Sequence, residues 1–195
     1  MRHPPIPITD SITLTCIEKK HFDKAIELCE KVINTNQRYG RSNVFKIKMR
    51  IKASPRYSIV LIDNETVIGG YFFNEDNSLL NEFGLTRKKL LWAKKNLHNI
   101  HKEKRNMVRT LIDALRKYKG KGVEGVALYL HEDYRCKGLG RHLIQYPYEY
   151  LNEDFSHIWG GQEKELNNIM DWLKRRELIY DTGTCFYTIG SLRPS

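Results

Sequence analysis

The residues best suited to chemistry form a short basic turn, Arg135-Cys-Lys-Gly-Leu-Gly-Arg141. An apolar run typical of a buried strand precedes the turn, and the apolar spacing that follows it is typical of a helix. The N-terminus of a helix leaves backbone N–H groups unpaired and attracts anions. Two glycines keep Cβ atoms away from a bulky anion, and three basic side chains add positive charge. These residues, which predict a phosphate or pyrophosphate site, are Gly138, Gly140, Arg135, Lys137 and Arg141.

An ordinary surface turn would use the same residue types, because glycine allows positive φ and basic residues favour solubility. A dinucleotide or ATP site is less well supported. The chain has neither a Gly-x-Gly-x-x-Gly nor a Gly-Lys-Ser/Thr pattern. The sequence around the turn must therefore show whether it is a ligand site or an ordinary surface turn.

The segment from Leu128 to Gly140 resembles motif A of the GNAT superfamily, the acyl-CoA-dependent N-acetyltransferases. In that family an apolar strand leads through a corner into Arg-Gly-x-Gly-x-Gly/Ala. Arg135, Gly138 and Gly140 match the three defining positions. Two positions differ, since Glu132 stands where Pro is common and Cys136 where Gly is common.

The resemblance implies that acetyl-CoA is the acyl donor and that no metal takes part. The N–H groups of the turn would hold the pyrophosphate, and backbone groups of the preceding strand would bond to the pantetheine arm. An asparagine of motif B would contact the cofactor from the other side. The implied cofactor-binding residues are Leu128, Leu130, Arg135, Cys136, Lys137, Gly138, Leu139, Gly140, Arg141 and Asn167.

The catalytic base implied by the resemblance is Glu124, eleven residues before Arg135, where histone-type relatives place a glutamate. An amine must lose a proton to attack a thioester, so a base or a chain of water molecules is needed. Glu124 also suits an ordinary strand-edge carboxylate, and His131 is a poorer candidate. The tyrosine that often serves as general acid is replaced by Lys174, which leaves Tyr180 or water for that role.

The order of predicted elements also resembles the family. The spacing of apolar residues predicts a strand at Ser11 to Glu18, a helix at His21 to Thr35, and a hairpin of Tyr57 to Asp63 with Thr66 to Phe73. Val44 to Ala53 fits either a strand or a helix. Later elements are strands at Val123 to Leu130 and Ser156 to Gly161, a helix from Gly138 that Pro147 ends or kinks, a helix at Glu163 to Leu178, and a closing hairpin of Tyr180 to Asp181 with Cys185 to Leu192.

We therefore expect an α+β, GNAT-like fold in a single domain spanning residues 1–195. It would have a mixed, mostly antiparallel central sheet with flanking helices. A V-shaped splay would separate the fourth predicted strand, Val123 to Leu130, from the fifth, His157 to Gly160. A helical insertion of about residues 77–121 would lie between the third and fourth strands.

The insertion holds nearly all the excess charge of the chain. Residues 84–121 contain thirteen basic and two acidic side chains, a net of +11, whereas the whole chain carries +10. Two amphipathic helices are indicated, since Leu90, Leu91 and Leu97 keep helical spacing on the first, less regularly than the apolar residues of the second. Their basic faces would suit an acidic partner such as nucleic acid, an acidic protein or an anionic membrane, or would simply be solvated.

The cysteines and the lengths of the apolar runs exclude several classes of protein. The four cysteines are scattered and lack metal-ligand spacing, so neither a disulfide framework nor structural zinc is indicated. Apolar runs are too short for a membrane span, and the N-terminus lacks the apolar core of a signal peptide. We expect a cytoplasmic protein, and the sequence leaves a monomer and a homodimer open.

The sequence favours an N-acetyltransferase that acts on a primary amine of a small molecule or a protein by direct attack in a ternary complex. A non-catalytic acyl-CoA-binding regulator and a nucleic-acid-associated protein using the basic insertion are the alternatives. Residues that could line an acceptor pocket include Tyr39, Trp92 and Asp181.

Overall fold

The computed structural model describes residues 3–35, 49, 55–75, 86–163, 176–181 and 185–193. These residues contain eight strands and four α-helices, together with short 3-10 turns. They belong to two compact units. The first consists of Met1–Glu75 and Gly125–Leu151, and the second of Asp76–Glu124 and Asn152–Ser195.

The first unit is built on antiparallel strands that follow one another along the chain. Its elements are β1 (Ile6–Pro7), β2 (Ile12–Cys16), α1 (Lys19–Thr35), β3 (Ile59–Asp63), β4 (Thr66–Asn74), the later part of β5 (Gly122–Leu130) and α4 (Leu139–Tyr150). The strand order is β1-β2-β3-β4-β5. The turn between β3 and β4 is Asn64-Glu65, with φ of 43° and 73°, so the predicted hairpin is confirmed.

Helix α1 covers one face of this sheet because its apolar residues recur at helical spacing. Ala25, Ile26 and Cys29 pack with Val60 and Phe72, all buried. Val126 and Ala127, adjacent on β5, both pack against this cluster. Successive residues of a regular strand face opposite sides, so β5 is irregular at this point.

Helix α4 packs on the opposite face of β2, where the Tyr146 hydroxyl lies 3.7 Å from Cys16 Sγ. The expectation that Pro147 would end or kink the helix is wrong as to its end, since α4 continues to Tyr150. Leu143, Tyr146 and Pro147 are buried, and their packing outweighs the backbone hydrogen bond that proline cannot donate.

The second unit combines helices with a mixed sheet. Its elements are α2 (Arg87–Lys95), α3 (Lys102–Lys117), the start of β5, β6 (His157–Glu163), β7 (Glu177–Asp181) and β8 (Cys185–Ser191). Strand β6 pairs in parallel with β5 and antiparallel with β8. The parallel pairing joins Gly122–Glu124 to His157–Trp159.

The two helices of the insertion pack against each other. Leu111 and Ala114 of α3 pack with Trp159 and Ile189 of the sheet. Leu90 and Ala93 of α2 pack on a neighbouring face of α3, against Val108 and Ile112. Met107 of α3 contacts both groups. No helix in the described part of the chain is long and apolar enough to cross a membrane.

The predicted mixed, mostly antiparallel sheet is confirmed, since β5 and β6 pair in parallel and the other described pairings are antiparallel. The fourth and fifth predicted strands are β5 and β6, because the short β1 was not foreseen. The predicted helix at Glu163 to Leu178 is wrong at both ends, where Glu163 ends β6 and Glu177 begins β7. Pairing with β8 outweighs the helical spacing there. The interior of that helix and all of Val44 to Ala53 except Met49 lie outside the described residues.

Candidate active site

The predicted anion-binding turn joins β5 to α4. A 3-10 turn at Glu132–Tyr134 follows the strand, and Gly138 then caps α4 in the left-handed conformation with φ of 77°. Cys136, where the family commonly has glycine, is also left-handed with φ of 61°. Arg135, Cys136, Lys137 and Gly138 are exposed, whereas Leu139 is buried and anchors the helix.

The N-terminus of α4 is open to a ligand. No side chain caps it, and the first N–H groups of a helix have no acceptor within the helix. A Cβ atom built on Gly138 or Gly140 would meet no atom within 4 Å. Open space beside the N-terminus of a helix is the arrangement that receives an anion, and the residues present fit a phosphate group.

Basic side chains surround this N-terminus. Arg135 is exposed, and its Nε donates a hydrogen bond of 3.3 Å to the Leu130 carbonyl. Lys137 Nζ lies 5.2 Å from the centre of the Tyr134 ring, and Arg141 is exposed on the first turn of α4. The predicted basic residues are thus brought together around one helix end, where their charges add to the helix dipole.

Two side chains hold the corner before the turn. The Tyr134 hydroxyl donates a 2.8 Å hydrogen bond to Asp63 Oδ2, at the end of β3. This bond raises the pKa of Tyr134 above its usual range. His131 Nδ1 accepts a 3.4 Å hydrogen bond from the Asp133 N–H and so caps the 3-10 turn. This capping role is consistent with His131 being a poor candidate for the base.

Backbone groups of Leu128 and Leu130 point to the edge of β5 away from β4. The His131 N–H donates to the Ile68 carbonyl of β4 at 2.8 Å. Alternate residues of a strand direct their backbone groups to opposite edges, so those of Leu130 point away from β4. The Arg135 bond to the Leu130 carbonyl agrees with this direction.

Glu124 belongs to the second unit and is 3% exposed. It lies opposite Trp159 in the parallel pairing, which places both residues on one face of the sheet. A Cβ on Gly122 would strike the His157 ring, and one on Gly125 would strike the Tyr71 hydroxyl. Close packing therefore requires the flanking glycines. Glu124 is a buried carboxylate in an interior strand, which corrects the strand-edge interpretation.

Five buried side-chain polar atoms have no hydrogen-bond partner among the described residues, and three of them lie in apolar runs and were not singled out from the sequence. Trp159 Nε1 and Thr188 Oγ1 in the second unit, and the Tyr129 hydroxyl in the first, have no hydrogen-bond partner within the described portion of the chain. Burial raises the pKa of Tyr129 well above its usual range. All three lie in apolar runs, whose pattern indicates burial but gives no sign of a polar role.

Other predicted site residues are not described. Asn167, Lys174 and Tyr39 lie outside the described residues, as do the side chains of Tyr180 and Asp181. Trp92 lies on α2 and is 58% exposed. No cluster of metal-ligating side chains occurs among the residues that the structure describes.

Comparison with solved structures shows that the chain has the fold of GNAT acetyltransferases, so the resemblance seen in the motifs is confirmed at the level of the fold. No protein-family model matches the sequence, and no curated protein sequence is significantly similar to it.

Three solved structures illustrate this likeness. The structure of SsHAT superposes with a TM-score of 0.62 at 15% identity, covering 94% of this chain and 100% of that one. The PaiA N-acetyltransferase of Thermoplasma acidophilum, in complex with coenzyme A, gives 0.56 at 10%, covering 93% and 99%. Arabidopsis thaliana Naa50, in complex with the bisubstrate analogue CoA-Ac-MVNAL, gives 0.54 at 13%, covering 93% and 99%.

Proposed function

We propose that this protein is an N-acetyltransferase that transfers an acetyl group from acetyl-CoA to a primary amine, with residues 1–195 acting as one catalytic domain. The observation that carries the proposal is the uncapped N-terminus of α4, with open space at Gly138 and Gly140 and three exposed basic residues around it. The relatives of the same fold include N-acetyltransferases with coenzyme A or an analogue of it bound.

The turn would bind the donor through its pyrophosphate. The N–H groups of residues 136–140 would supply hydrogen bonds, since the Arg135 N–H already donates to the Glu132 carbonyl. The charges of Arg135, Lys137 and Arg141 would oppose the phosphate charge. Backbone groups of Leu128 and Leu130, on the edge of β5 away from β4, would bond to the amides of the pantetheine arm. The donor supplies an acetyl group activated as a thioester, and Asn167 is proposed as a further contact.

Glu124 is proposed as the base that accepts the proton of the attacking amine. Its burial keeps bulk water away, and a carboxylate in such a place is a candidate for acid–base work. The amine would attack the thioester directly in a ternary complex, without a covalent enzyme intermediate. The acceptor is a primary amine of a small molecule or of a protein. The departing thiolate would take its proton from Tyr180 or from water.

Calorimetric titration with acetyl-CoA tests the donor, with desulpho-CoA and ATP as controls. Acetyl-CoA and desulpho-CoA should both bind, since they share the pyrophosphate and the pantetheine arm, and ATP should bind far more weakly. Absence of acetyl-CoA binding would refute the proposal. Binding without thiol release across a panel of amines would instead indicate an acyl-CoA-binding regulator.

Replacement of Glu124 by Gln tests the base. We expect kcat/KM at neutral pH to fall by about 100-fold or more, with an unchanged Kd for acetyl-CoA. The expected pH profile of the variant lacks the ionisation of the base. An unchanged rate and profile would show that the proton leaves by another route, and a changed Kd would indicate a structural role for the carboxylate.

A further inference from the structure

Helix α2 presents two large apolar side chains to solvent. Leu91 is 61% exposed and Trp92 is 58% exposed, and they are adjacent in the sequence. Leu91, although it keeps helical spacing with Leu90, therefore lies on the exposed face of α2. The buried face of α2 is formed by Leu90 and Ala93, which pack against α3.

The outward face of α2 places two apolar residues between two lysines. Positions 88, 91, 92 and 95 follow helical spacing and form one stripe, opposite the buried face. The stripe reads Lys88, Leu91, Trp92 and Lys95, with an apolar pair between two exposed lysines. We call these four residues the α2 stripe. Since α2 packs on α3 through Leu90 and Ala93, the stripe faces away from that contact.

The charge around the α2 stripe has one sign. Arg87–Lys95 contains five basic residues and no acidic one. The helix is well defined locally, because the Thr86 side chain accepts a 3.1 Å hydrogen bond from the Lys89 N–H and Asn96 Nδ2 donates to the Trp92 carbonyl at 2.8 Å. The apolar pair thus lies among basic side chains on a helix capped at both ends, which suits a partner that is both apolar and anionic.

An anionic lipid surface is such a partner, because its phosphates are anionic and the acyl chains just below them are apolar. Indole prefers the boundary between headgroups and acyl chains, and the transfer of an aliphatic side chain from water to this boundary is also favourable. Lysine stems can lie along apolar surface while their ammonium groups reach phosphates. A nucleic acid would stack a base on Trp92 but would leave the aliphatic Leu91 against sugar and phosphate. The adjacent aliphatic residue therefore favours lipid.

We propose that the α2 stripe is a docking surface for an anionic phospholipid membrane. Helix α2 lies along the surface, Leu91 and Trp92 enter the boundary between headgroups and acyl chains, and Lys88 and Lys95 contact lipid phosphates. The exposed Lys94 and nearby basic residues of α3 add long-range attraction. Two apolar anchors and a few lysines give reversible binding that salt weakens.

The experiment is co-sedimentation of the full chain with vesicles of phosphatidylcholine alone or mixed with phosphatidylserine. We expect binding only to the mixed vesicles. Trp92→Ser and the pair Lys88→Gln with Lys95→Gln should each lower the partition coefficient by about tenfold or more. Trp92→Phe should retain most of the binding. A matched pair, Lys19→Gln with Lys24→Gln, removes the same charge from the exposed surface of α1 and should bind like the unaltered protein.

The altered residues are exposed, so thermal unfolding of each variant should match that of the unaltered protein. Equal binding to both kinds of vesicle, no binding to either, or binding that survives Trp92→Ser would each overturn the proposal. Polyuridine tests the alternative that the α2 stripe binds nucleic acid. If polyuridine binds through Trp92 while the mixed vesicles do not, the stripe is a nucleic-acid surface and the membrane proposal fails.

Discussion

Gly138 and Gly140 share one turn but constrain substitutions differently. Gly138 has a φ of 77°, which an L side chain adopts only with strain, whereas Gly140 lies within helix α4. Both positions face open space. A substitution at Gly140 therefore tests the ligand site without backbone strain, and one at Gly138 combines strain with obstruction.

We expect Gly140→Ala to raise the free energy of unfolding by about 0.5–1 kcal/mol, because alanine is the better helix former. The same Cβ should weaken acetyl-CoA binding, since it occupies the space beside the N–H donors. Chemical denaturation and calorimetry measure the two effects. Gly138→Ala should lower both stability and affinity. A Gly140→Ala protein with unaltered affinity would show that the pyrophosphate lies elsewhere.

Tyr134 is the second residue whose role can be isolated. Tyr134→Phe removes the hydroxyl that bonds to Asp63 while keeping the ring beneath Lys137. We expect a weaker affinity for acetyl-CoA with little change in kcat at saturation, because the corner positions the turn but touches no reacting atom. Steady-state kinetics separate the effect on affinity from the effect on kcat. Tyr148→Phe, on α4, serves as the matched control. A fall in kcat alone would contradict the positioning role.

Among the elements, the β3–β4 hairpin carries local strain. Asn64 and Glu65 both have positive φ. Asparagine tolerates this conformation, but glutamate in it costs about 1–2 kcal/mol. We expect Glu65→Gly to stabilise the protein by about 1 kcal/mol, and Asn64→Gly by less, in urea unfolding followed by circular dichroism. Destabilisation by Glu65→Gly would mean that the Glu65 side chain makes a compensating contact.

The elements most readily predicted from sequence were those whose apolar residues recur regularly and whose ends are marked by turn-forming residues. Helix α1 follows from the spacing of Ala25, Ile26 and Cys29, and the hairpin from two β-rich runs around Asn64-Glu65. The turn into α4 follows from its glycines and basic residues. In each case local residue preferences and burial favour the same conformation, so the pattern alone is sufficient.

Other features depend on contacts that local pattern does not encode. Leu90 and Leu91 are both leucine, and only the packing of α2 on α3 determines that Leu90 is buried and Leu91 exposed. Glu177 has helical spacing but pairs with Ile189 of β8. Glu124 was located through a family resemblance, since neither its burial nor its neighbour Trp159 can be read from charge or spacing.

For the whole molecule, buried histidine links stability to pH. Burial lowers the pKa of His157 below its ordinary 6.5. The ring contacts Ser156 Oγ through Nδ1 at 2.8 Å, and that hydroxyl donates to the Lys121 carbonyl. A hydroxyl has a single proton, so Nδ1–H of the neutral ring is the donor to Ser156.

The sign of the pH effect follows from proton uptake. As pH falls through 6.5, the unfolded chain binds the proton first, while folded His157 binds it only at its lower pKa. Stability should therefore be full above pH 6.5 and decrease below it. His21, whose pKa burial also lowers, acts in the same direction.

Thermal unfolding measured across this range checks the expectation. His157→Gln should reduce the slope of Tm against pH below 6.5. A slope that persists in full in His157→Gln would assign the acid sensitivity to other groups. Comparison at constant ionic strength avoids a contribution from screening of the basic insertion.

The division of the chain into two units bears on biosynthesis. Each unit is made of two segments, and they alternate along the sequence as residues 1–75, 76–124, 125–151 and 152–195. The first unit therefore cannot be complete until residue 151 has left the ribosome, and the second also needs residues 152–195. The nascent chain must hold unfinished sheets until these residues have been made, a period in which unpaired strands are prone to aggregate. Slow synthesis should therefore favour aggregation of this protein unless chaperones protect it.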